Sequence, residues 1–419
     1  MKTEVRKMVK SFTRESSKET ILILVSNKKT LPPLGDHHGI VDLIDHPIRL
    51  LLDQENIKVI SFWDNRLKNL IYDPSIYYHA DSRYKNVFSF IPYRVRKKIF
   101  RVANPEICSR YFHALQIAKK IRPTFIITHV DLKLALLAAK FLPHSKHVYY
   151  YHGSILHNNI NFQQWNELET RFDGIVFITK SVVEGLKAKF GQCNIPYRVI
   201  LNAIDLEWAH PEKRNALREV ARRQWRIRPE EILIIYAGRL QPTKGLMPLV
   251  KGFLNAYQKN PKLRLVIAGD PARETYGNFQ LVDELKKLSS HLPDYVVQYP
   301  GWLDRENLQF LYSAADISVL LSMPEEGEAN SLFLMESMGF GIPCIATRVG
   351  GNPEVIEDTG ILIDPLNAEQ ELSRALEVLS SSSIREQFGQ KAAERAHSFF
   401  SYQRVADELL DFINSLRLT

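Results

Sequence analysis

The stretch EILIIYAGRLQPTKGLMPLVKGF, residues 231–253, decides how the chain is read. Its apolar opening reads as a strand that ends at Gly238, and the amphipathic run after Pro242 reads as a helix that opens near Lys244–Gly245. A strand that passes through a short loop into a helix N-terminus presents free N–H groups and a partial positive charge. Arg239 and Lys244 stand at the two ends of that loop. A guanidinium grips phosphate as a planar fork and an ammonium as a point charge, so the pair can hold two phosphates. Gly238 and Gly245 allow the backbone to come close. The plain alternative is an ordinary strand–loop–helix connection with two surface cations.

The same pattern extends outward in both directions. Strand candidates before it are 21–26, 58–63, 125–130, 147–152, 174–179 and 198–202. A second series runs through 232–238, 263–269, 295–301, 317–322, 343–347 and 360–365. Amphipathic stretches such as MPLVKGFLNAYQKN (247–260) and FQLVDELKKLSSHL (279–292) separate them. Strands that are apolar throughout, alternating with helices, imply parallel sheets covered on both faces. That is the doubly wound α/β architecture, here in two Rossmann-like halves with a cleft between them. The joint falls in 203–230, which carries Pro211 and Pro229. The expected division is 1–205, with 1–18 a flexible basic extension, then 206–390, then a helical tail 391–419 that returns to the first half.

The chain has 419 residues, 45% hydrophobic and 24% charged, enough for roughly two or three domains with cores of their own. That composition excludes a disordered, collagen-like or disulfide-scaffold protein. The longest apolar runs, such as ILILV (21–25) and LALLAAKFL (134–142), fall short of the ~18–20 residues of a membrane span. Cys108, Cys193 and Cys344 are isolated, with neither zinc spacing nor a disulfide framework. The N-terminal segment lacks the apolar core of a secretory signal. The reading is a soluble protein of a reducing compartment. Net charge is +8, and the excess gathers in 1–18, 94–101 and 213–228. Such clusters are either solvated faces or seek phosphates and acidic lipid. They lack the aromatic platforms of single-strand nucleic-acid binders.

A second informative stretch is SMPEEGEANSLFLMESMGFGIPCIAT, residues 322–347. Glu328 lies in a loop after a strand, and Glu336 on the helix that LFLMESM forms. Glu336 sits among apolar neighbours, and a carboxylate buried without a role is uncommon. A helix carboxylate facing a cleft accepts two hydroxyl hydrogen bonds from a ribose, and a loop carboxylate can accept those of a sugar. Two solvated glutamates are the alternative.

These stretches carry a resemblance. GRLQPTKG (238–245), the pair Glu328 and Glu336, and GIPCIATRVGGNPEVIEDTGILIDP (341–365) together resemble the C-terminal half of family 4 glycosyltransferases. IAGD (267–270), the segment 297–322 and VILNAID (199–205) support it. The resemblance implies the GT-B fold, a nucleoside-diphosphate sugar donor and transfer with retention. It implies that Arg239 and Lys244 bind the donor diphosphate and that Glu336 binds the ribose. Glu328 then contacts the transferred sugar, and the backbone of Ala329, Asn330, Ser331 and Leu332 approaches sugar and phosphate. Gly238, Gly269 and Asp270 complete the donor contacts in this half. The chain departs from the family where Ala329-Asn330-Ser331 replaces a glycine-rich run, which predicts a stiffer, more polar loop. Glu325 and Glu326 compete with Glu328, but only Glu328 lies at the family's spacing.

The first half matches more loosely. In SNKKTLPPLGDHHGIVDL (26–43) the family's adjacent glycine pair is missing, and Gly35 is the candidate for phosphate contact. His37 and His38 read as loop surface or acceptor contacts. His152 ends the strand HVYYYH, where a family histidine contacts the donor sugar from across the cleft. His129 and His157 have no assigned role, and Asn202 and Asp205 read as structural. The implied chemistry needs no divalent ion, since the two cations stand in for one, and no cofactor beyond the donor substrate. A donor phosphate oxygen can take the acceptor proton, so no protein base is named. The resemblance points to a cytoplasmic enzyme of bacterial surface-polysaccharide synthesis, with a glycan or lipid-linked acceptor. The apolar and cationic run 89–102 fits contact with an anionic membrane. The rival readings are a sugar-nucleotide epimerase of the same fold and a non-catalytic sugar-nucleotide-binding or coat component. A nucleic-acid binder rests on charge alone. A pyridoxal phosphorylase and a nicotinamide dehydrogenase lack their motifs.

Overall fold

The computed structural model describes residues 19–25, 39–62, 73, 75–153, 160–273, 278–324 and 329–418. Its strands form two sheets. The first contains β1 (Thr20–Val25), β2 (Asn56–Ser61), β3 (Tyr77–His79), β4 (Phe125–His129), β5 (Lys146–Tyr151), β6 (Gly174–Phe177) and β7 (Tyr197–Val199), in the order β3-β2-β1-β4-β5-β6-β7. The second contains β8 (Ile232–Ala237), β9 (Leu263–Ala268), β10 (Val297–Gly301), β11 (Ile317–Leu320), β12 (Cys344–Thr347) and β13 (Ile361–Ile363), in the order β10-β9-β8-β11-β12-β13. Every pairing is parallel. The strand order reverses beside β1 in one sheet and beside β8 in the other, so each sheet is doubly wound. The apolar runs read from the sequence supply every strand except β3, a three-residue edge strand.

The apolar runs are continuous because both faces of each sheet are covered. In β1, Ile21, Ile23 and Val25 enter one core with Val59 and Ile127. Leu22 and Leu24 enter another, with Ile60, Ile126 and residues Tyr111, Ala114 and Ala118 of the helix Pro105–Ile121. Alternation along the strand sends successive side chains to opposite layers.

The tail leaves the second lobe later than expected. Helix Ser382–Phe399 belongs wholly to that lobe, with Ala392 and Ala396 in its core, so a division at 390/391 falls inside a single helix. Gly389 is pressed so closely there that a Cβ would lie 2.5 Å from the Gly341 carbonyl oxygen. The chain crosses at Phe400–Ser401, and helix Tyr402–Arg417 then lies on the first lobe. Its Val405, Leu409, Phe412, Ile413 and Leu416 share a core with Ile44 and Ile48. Burying side chains of this kind contributes about 1.5–3 kcal/mol each. Arg404 fastens the crossing by donating to the carbonyls of Leu201 (2.6 Å) and Asn202 (3.2 Å).

The basic run 213–228 is only in part a solvated face: Lys213, Arg223, Arg226 and Arg228 are exposed, and the other three cations turn inward. On helix Pro211–Gln224, Arg214 donates to the Ala315 carbonyl at 2.7 Å, and Arg218 and Arg222 reach Asp316 at 2.5 and 2.9 Å. Burial alone would raise the Asp316 carboxyl, but Arg218 and Arg222 outweigh it and hold the group below its ordinary value. Among the described residues, no helix is long and apolar enough to cross a membrane.

Candidate active site

The crevice beyond the C-terminal ends of β8 and β11 is where a doubly wound sheet takes its ligand. After β8 the chain runs through Gly238 and Arg239 into the single turn Pro242–Lys244, and Gly245 then opens helix Leu246–Lys259. Gly245 has φ +65°, and a Cβ there would lie 1.9 Å from the Leu321 carbonyl oxygen, just past β11. The Met323 N–H donates to the Thr243 carbonyl at 2.8 Å. The cationic loop is therefore fastened to the segment that leads toward Glu328. Arg239 is exposed and Lys244 half-buried. The Arg239 carbonyl accepts the Tyr236 hydroxyl at 2.6 Å, which fixes the backbone at the loop's start. Thr243 Oγ1 is buried without a hydrogen-bond partner among the described residues.

Gly269 packs its backbone against Gly238, since a Cβ at 269 would lie 2.2 Å from the Gly238 carbonyl oxygen. Asp270 is engaged locally: its Oδ1 accepts the Ala272 N–H at 2.9 Å. Ser331 caps helix Leu332–Gly339, accepting the Leu334 N–H at 3.4 Å. On that helix, half-buried Glu336 accepts the Tyr312 hydroxyl on Oε2 at 2.7 Å. Tyr312 is buried against Trp208 and Phe340, so it orients the carboxylate from the core side. Burial first, then the charge of Glu336, raises the Tyr312 phenol well above its ordinary value and keeps it a donor. With Glu336 on the donor ribose, as the resemblance implies, Tyr312→Phe should raise the donor KM about three- to tenfold through loss of this hydrogen bond, with a smaller effect on kcat. Steady-state donor titration checks it, and an unchanged KM would mean that Glu336 is not held through Tyr312.

In the Ala329–Leu332 segment donor contact is expected of the backbone N–H groups, and the side chains find other partners. The Asn330 side chain turns to the first lobe, where Nδ2 donates to the Ile178 carbonyl at 3.1 Å. Ala329 packs against the first-lobe core, and Gly351 lies so near that a Cβ there would fall 1.8 Å from the Ala329 carbonyl oxygen. Beside it Glu354 of the second lobe accepts the Lys180 N–H at 2.8 Å and the Ser181 N–H at 3.3 Å. It thereby caps the first-lobe helix Lys180–Phe190. The segments after β6, β11 and β12 meet here, so the two sheets present their C-terminal edges to one another. At the joint Asp205 caps the turn at Trp208 (3.0 Å) and pairs with Arg305 at 2.5 Å.

On the first lobe, His152 follows β5. Its Nε2 lies 2.9 Å from Nδ1 of His129, the last residue of β4. Burial lowers the His152 pKa to about 3; burial and then His152 lower that of His129 well below its ordinary value. Both rings are neutral at pH 7. Sequence alone assigns His129 no role. The register that sets His129 opposite Tyr150 brings it beside His152, and that register is what the linear order does not display. Tyr312, Thr243 and Glu354 lie on helices or a helical turn, and the contacts these segments make with distant parts of the chain are likewise absent from the linear order. Gly35, His37, His38, His157, Glu325, Glu326 and Glu328 lie outside the described residues. A cavity of about 490 Å³ lined by Arg214, Arg218, Asp316, Pro343 and Arg385 lies at the N-terminal ends of β11 and β12, remote from this cleft.

Comparison with known proteins follows the two lobes. Residues 46–208 match the family described as Glycosyltransferase Family 4, and residues 218–395 the family described as Glycosyl transferases group 1. The chain is 29% identical over 245 residues to spore coat protein SA of Bacillus subtilis, a match spanning 56% of this chain and 63% of that one. It is 26% identical over 304 residues to the putative glycosyltransferase YtcC of the same organism, spanning 70% of this chain and 74% of that one. Among solved structures, Anabaena HepE in complex with UDP and glucose superposes with a TM-score of 0.70 at 18% identity, over 95% of this chain and 100% of that one.

Proposed function

Because this chain belongs to the glycosyltransferases of family 4 and has the GT-B fold, we propose that it moves a sugar from a nucleoside diphosphate to a hydroxyl acceptor with retention of configuration. The observation that carries this reading is the fastening of the Arg239–Lys244 loop, through Gly245 and Thr243, to the strand end that leads to the Glu336 helix. On this reading the partners of the diphosphate and of the ribose share one crevice. HepE has been solved with UDP-glucose, which supports a donor of that class.

As the sugar–phosphate bond breaks, the sugar gains oxocarbenium character and negative charge grows on the diphosphate. Arg239, Lys244 and the adjoining backbone N–H groups stabilise that charge where it develops. Glu336 accepts the ribose hydroxyls, Glu328 those of the transferred sugar, and His152 contacts the sugar from the opposite lobe. Gly35, Gly238, Gly269, Asp270 and the Ala329–Leu332 backbone complete the donor contacts. The acceptor attacks from the face that the diphosphate vacates, and a phosphate oxygen takes its proton. The two cations do the work of a divalent ion. Contacts such as Asn330–Ile178 and Glu354–Lys180 draw the lobes together and keep water from the donor.

A thermal-shift panel of uridine, guanosine and adenosine diphosphate sugars tests the reading. The true donor at 100 times its Kd should add about 2.7 kcal/mol of stability. A chain that none of them stabilises would contradict it. The name of the spore coat relative favours one second reading, a coat component that binds donor without turnover. Product formation with acceptor present separates the two.

The acceptor side carries an amphiphilic surface. Val87, Phe90 and Tyr93 are 61%, 89% and 55% exposed, beside exposed Arg94, Lys97 and Lys98. Apolar side chains among cations suit an anionic bilayer that holds a lipid-linked acceptor, at the inner face of the plasma membrane. Surface-polysaccharide synthesis is the corresponding role. Exchanging Lys97 and Lys98 for glutamate should weaken binding to phosphatidylglycerol vesicles at least about 30-fold, at about 1 kcal/mol per basic residue lost. Unchanged vesicle sedimentation would remove the membrane from the account.

A further inference from the structure

Two neutral imidazoles held ring nitrogen to ring nitrogen share one proton between them, so the protonation of one dictates that of the other. His129 Nδ1 and His152 Nε2 are in that relation at 2.9 Å. The remaining nitrogens, His129 Nε2 and His152 Nδ1, are buried and have no partner among the described residues. Only two arrangements are consistent with neutral rings. In one, both rings carry their proton on Nδ1, His129 donates to His152 Nε2, and His152 Nδ1 is left as a donor. In the other, both carry it on Nε2, the bond runs the opposite way, and His152 Nδ1 is a bare acceptor.

The surroundings favour the first. A buried N–H without a partner costs more than a buried lone pair. His129 is only 3% exposed, inside the sheet, whereas His152 is partly exposed at its edge. The unpartnered N–H is therefore better placed on His152, whose ring reaches the sheet edge; its Nδ1 is itself covered and meets a ligand oxygen only once the donor is seated beside it. Tyr150 holds the planes of both rings, since its own ring stacks on His152 at 4.4 Å and 9° and on His129 at 4.9 Å and 27°.

We propose that His129 is a positioning residue: through its Nδ1 hydrogen bond it commits His152 to the Nδ1–H tautomer, so that His152 offers a donor to an oxygen of the bound nucleotide sugar. His129 itself touches no substrate. The proposal rests on the donor-sugar role of His152 given above, but its structural half does not need that role.

Selective ¹⁵N-histidine labelling and long-range ¹⁵N–¹H correlation read the tautomers directly, without any turnover. The expected result is Nδ1–H for both rings at pH 7 in the wild type. His129→Phe keeps a flat ring but removes the donor, and His152 should then move to Nε2–H. His129→Asn places an amide N–H near the former Nδ1 and should retain the Nδ1–H form of His152. In the transfer assay His129→Phe should lower kcat about tenfold with little change in acceptor KM, and His129→Asn should recover most of that loss. Nε2–H signals for both rings in the wild type would overturn the proposal, as would equal impairment in the Phe and Asn variants. If the tautomers are as expected but no sugar is transferred, the glycosyltransfer reading fails and the tautomer assignment stands. If sugar is transferred by enzyme whose rings are Nε2–H, the tautomer assignment fails and the glycosyltransfer reading stands.

Discussion

Lys244→Ala is expected to lower kcat/KM by about 100- to 1,000-fold, the loss found when one preorganised donor to a developing anion is removed. In water an ammonium and a phosphate 4 Å apart attract by only about 1 kcal/mol. In a crevice between two lobes the same charge counts for more, because its orientation is set before the reaction. The single turn Pro242–Lys244 sets that orientation, and Gly245 seats it against Leu321. Lys244→Arg should recover part of the rate, since charge is restored with a different shape. Initial rates over a range of donor concentrations, with a melting curve to show that the variant is folded, check the result. Wild-type rates for Lys244→Ala would remove the diphosphate assignment.

Gly245→Ala should act through stability instead. The left-handed conformation at φ +65° costs a non-glycine residue about 1–2 kcal/mol. The methyl must also displace the Leu321 carbonyl, 1.9 Å from where it would sit, and overpacking of this kind costs about 1–3 kcal/mol more. For a lobe of this size the sum corresponds to a fall of about 5–15 °C in Tm. Activity should fall with it, since the cationic loop is displaced from β11. A melting temperature within about 1 °C of wild type, an order-of-magnitude threshold against that fall, would show that the loop is not seated as described. The contrast with Lys244→Ala, which should melt near wild type, separates chemistry from folding.

The strands are legible in the sequence because both faces of each sheet are buried, which turns β1 or β8 into an unbroken apolar run. β3 is not, because YYH offers three residues at a sheet edge with polar neighbours. The order of motifs places the cationic loop and the Glu336 helix correctly along the chain, but direction is not written in order. Asn330 lies in a segment whose backbone is expected to meet the donor, and nothing in that order shows its side-chain amide crossing to Ile178 of the opposite lobe. Arg214, Arg218 and Arg222 recur every four residues, which puts them on one helix face. That spacing is the available sign that they turn inward together to Ala315 and Asp316. The His129–His152 contact depends on strand register across β4 and β5, which emerges only when the sheet assembles.

The central claim is that Arg239 and Lys244 hold the departing diphosphate. A crystal structure with UDP, GDP or ADP, whichever stabilises the chain most, measures it directly. The account predicts diphosphate oxygens at about 2.7–3.2 Å from the Arg239 guanidinium and the Lys244 ammonium, with the ribose hydroxyls on Glu336. A nucleotide seated elsewhere, with both cations turned to solvent, would contradict it.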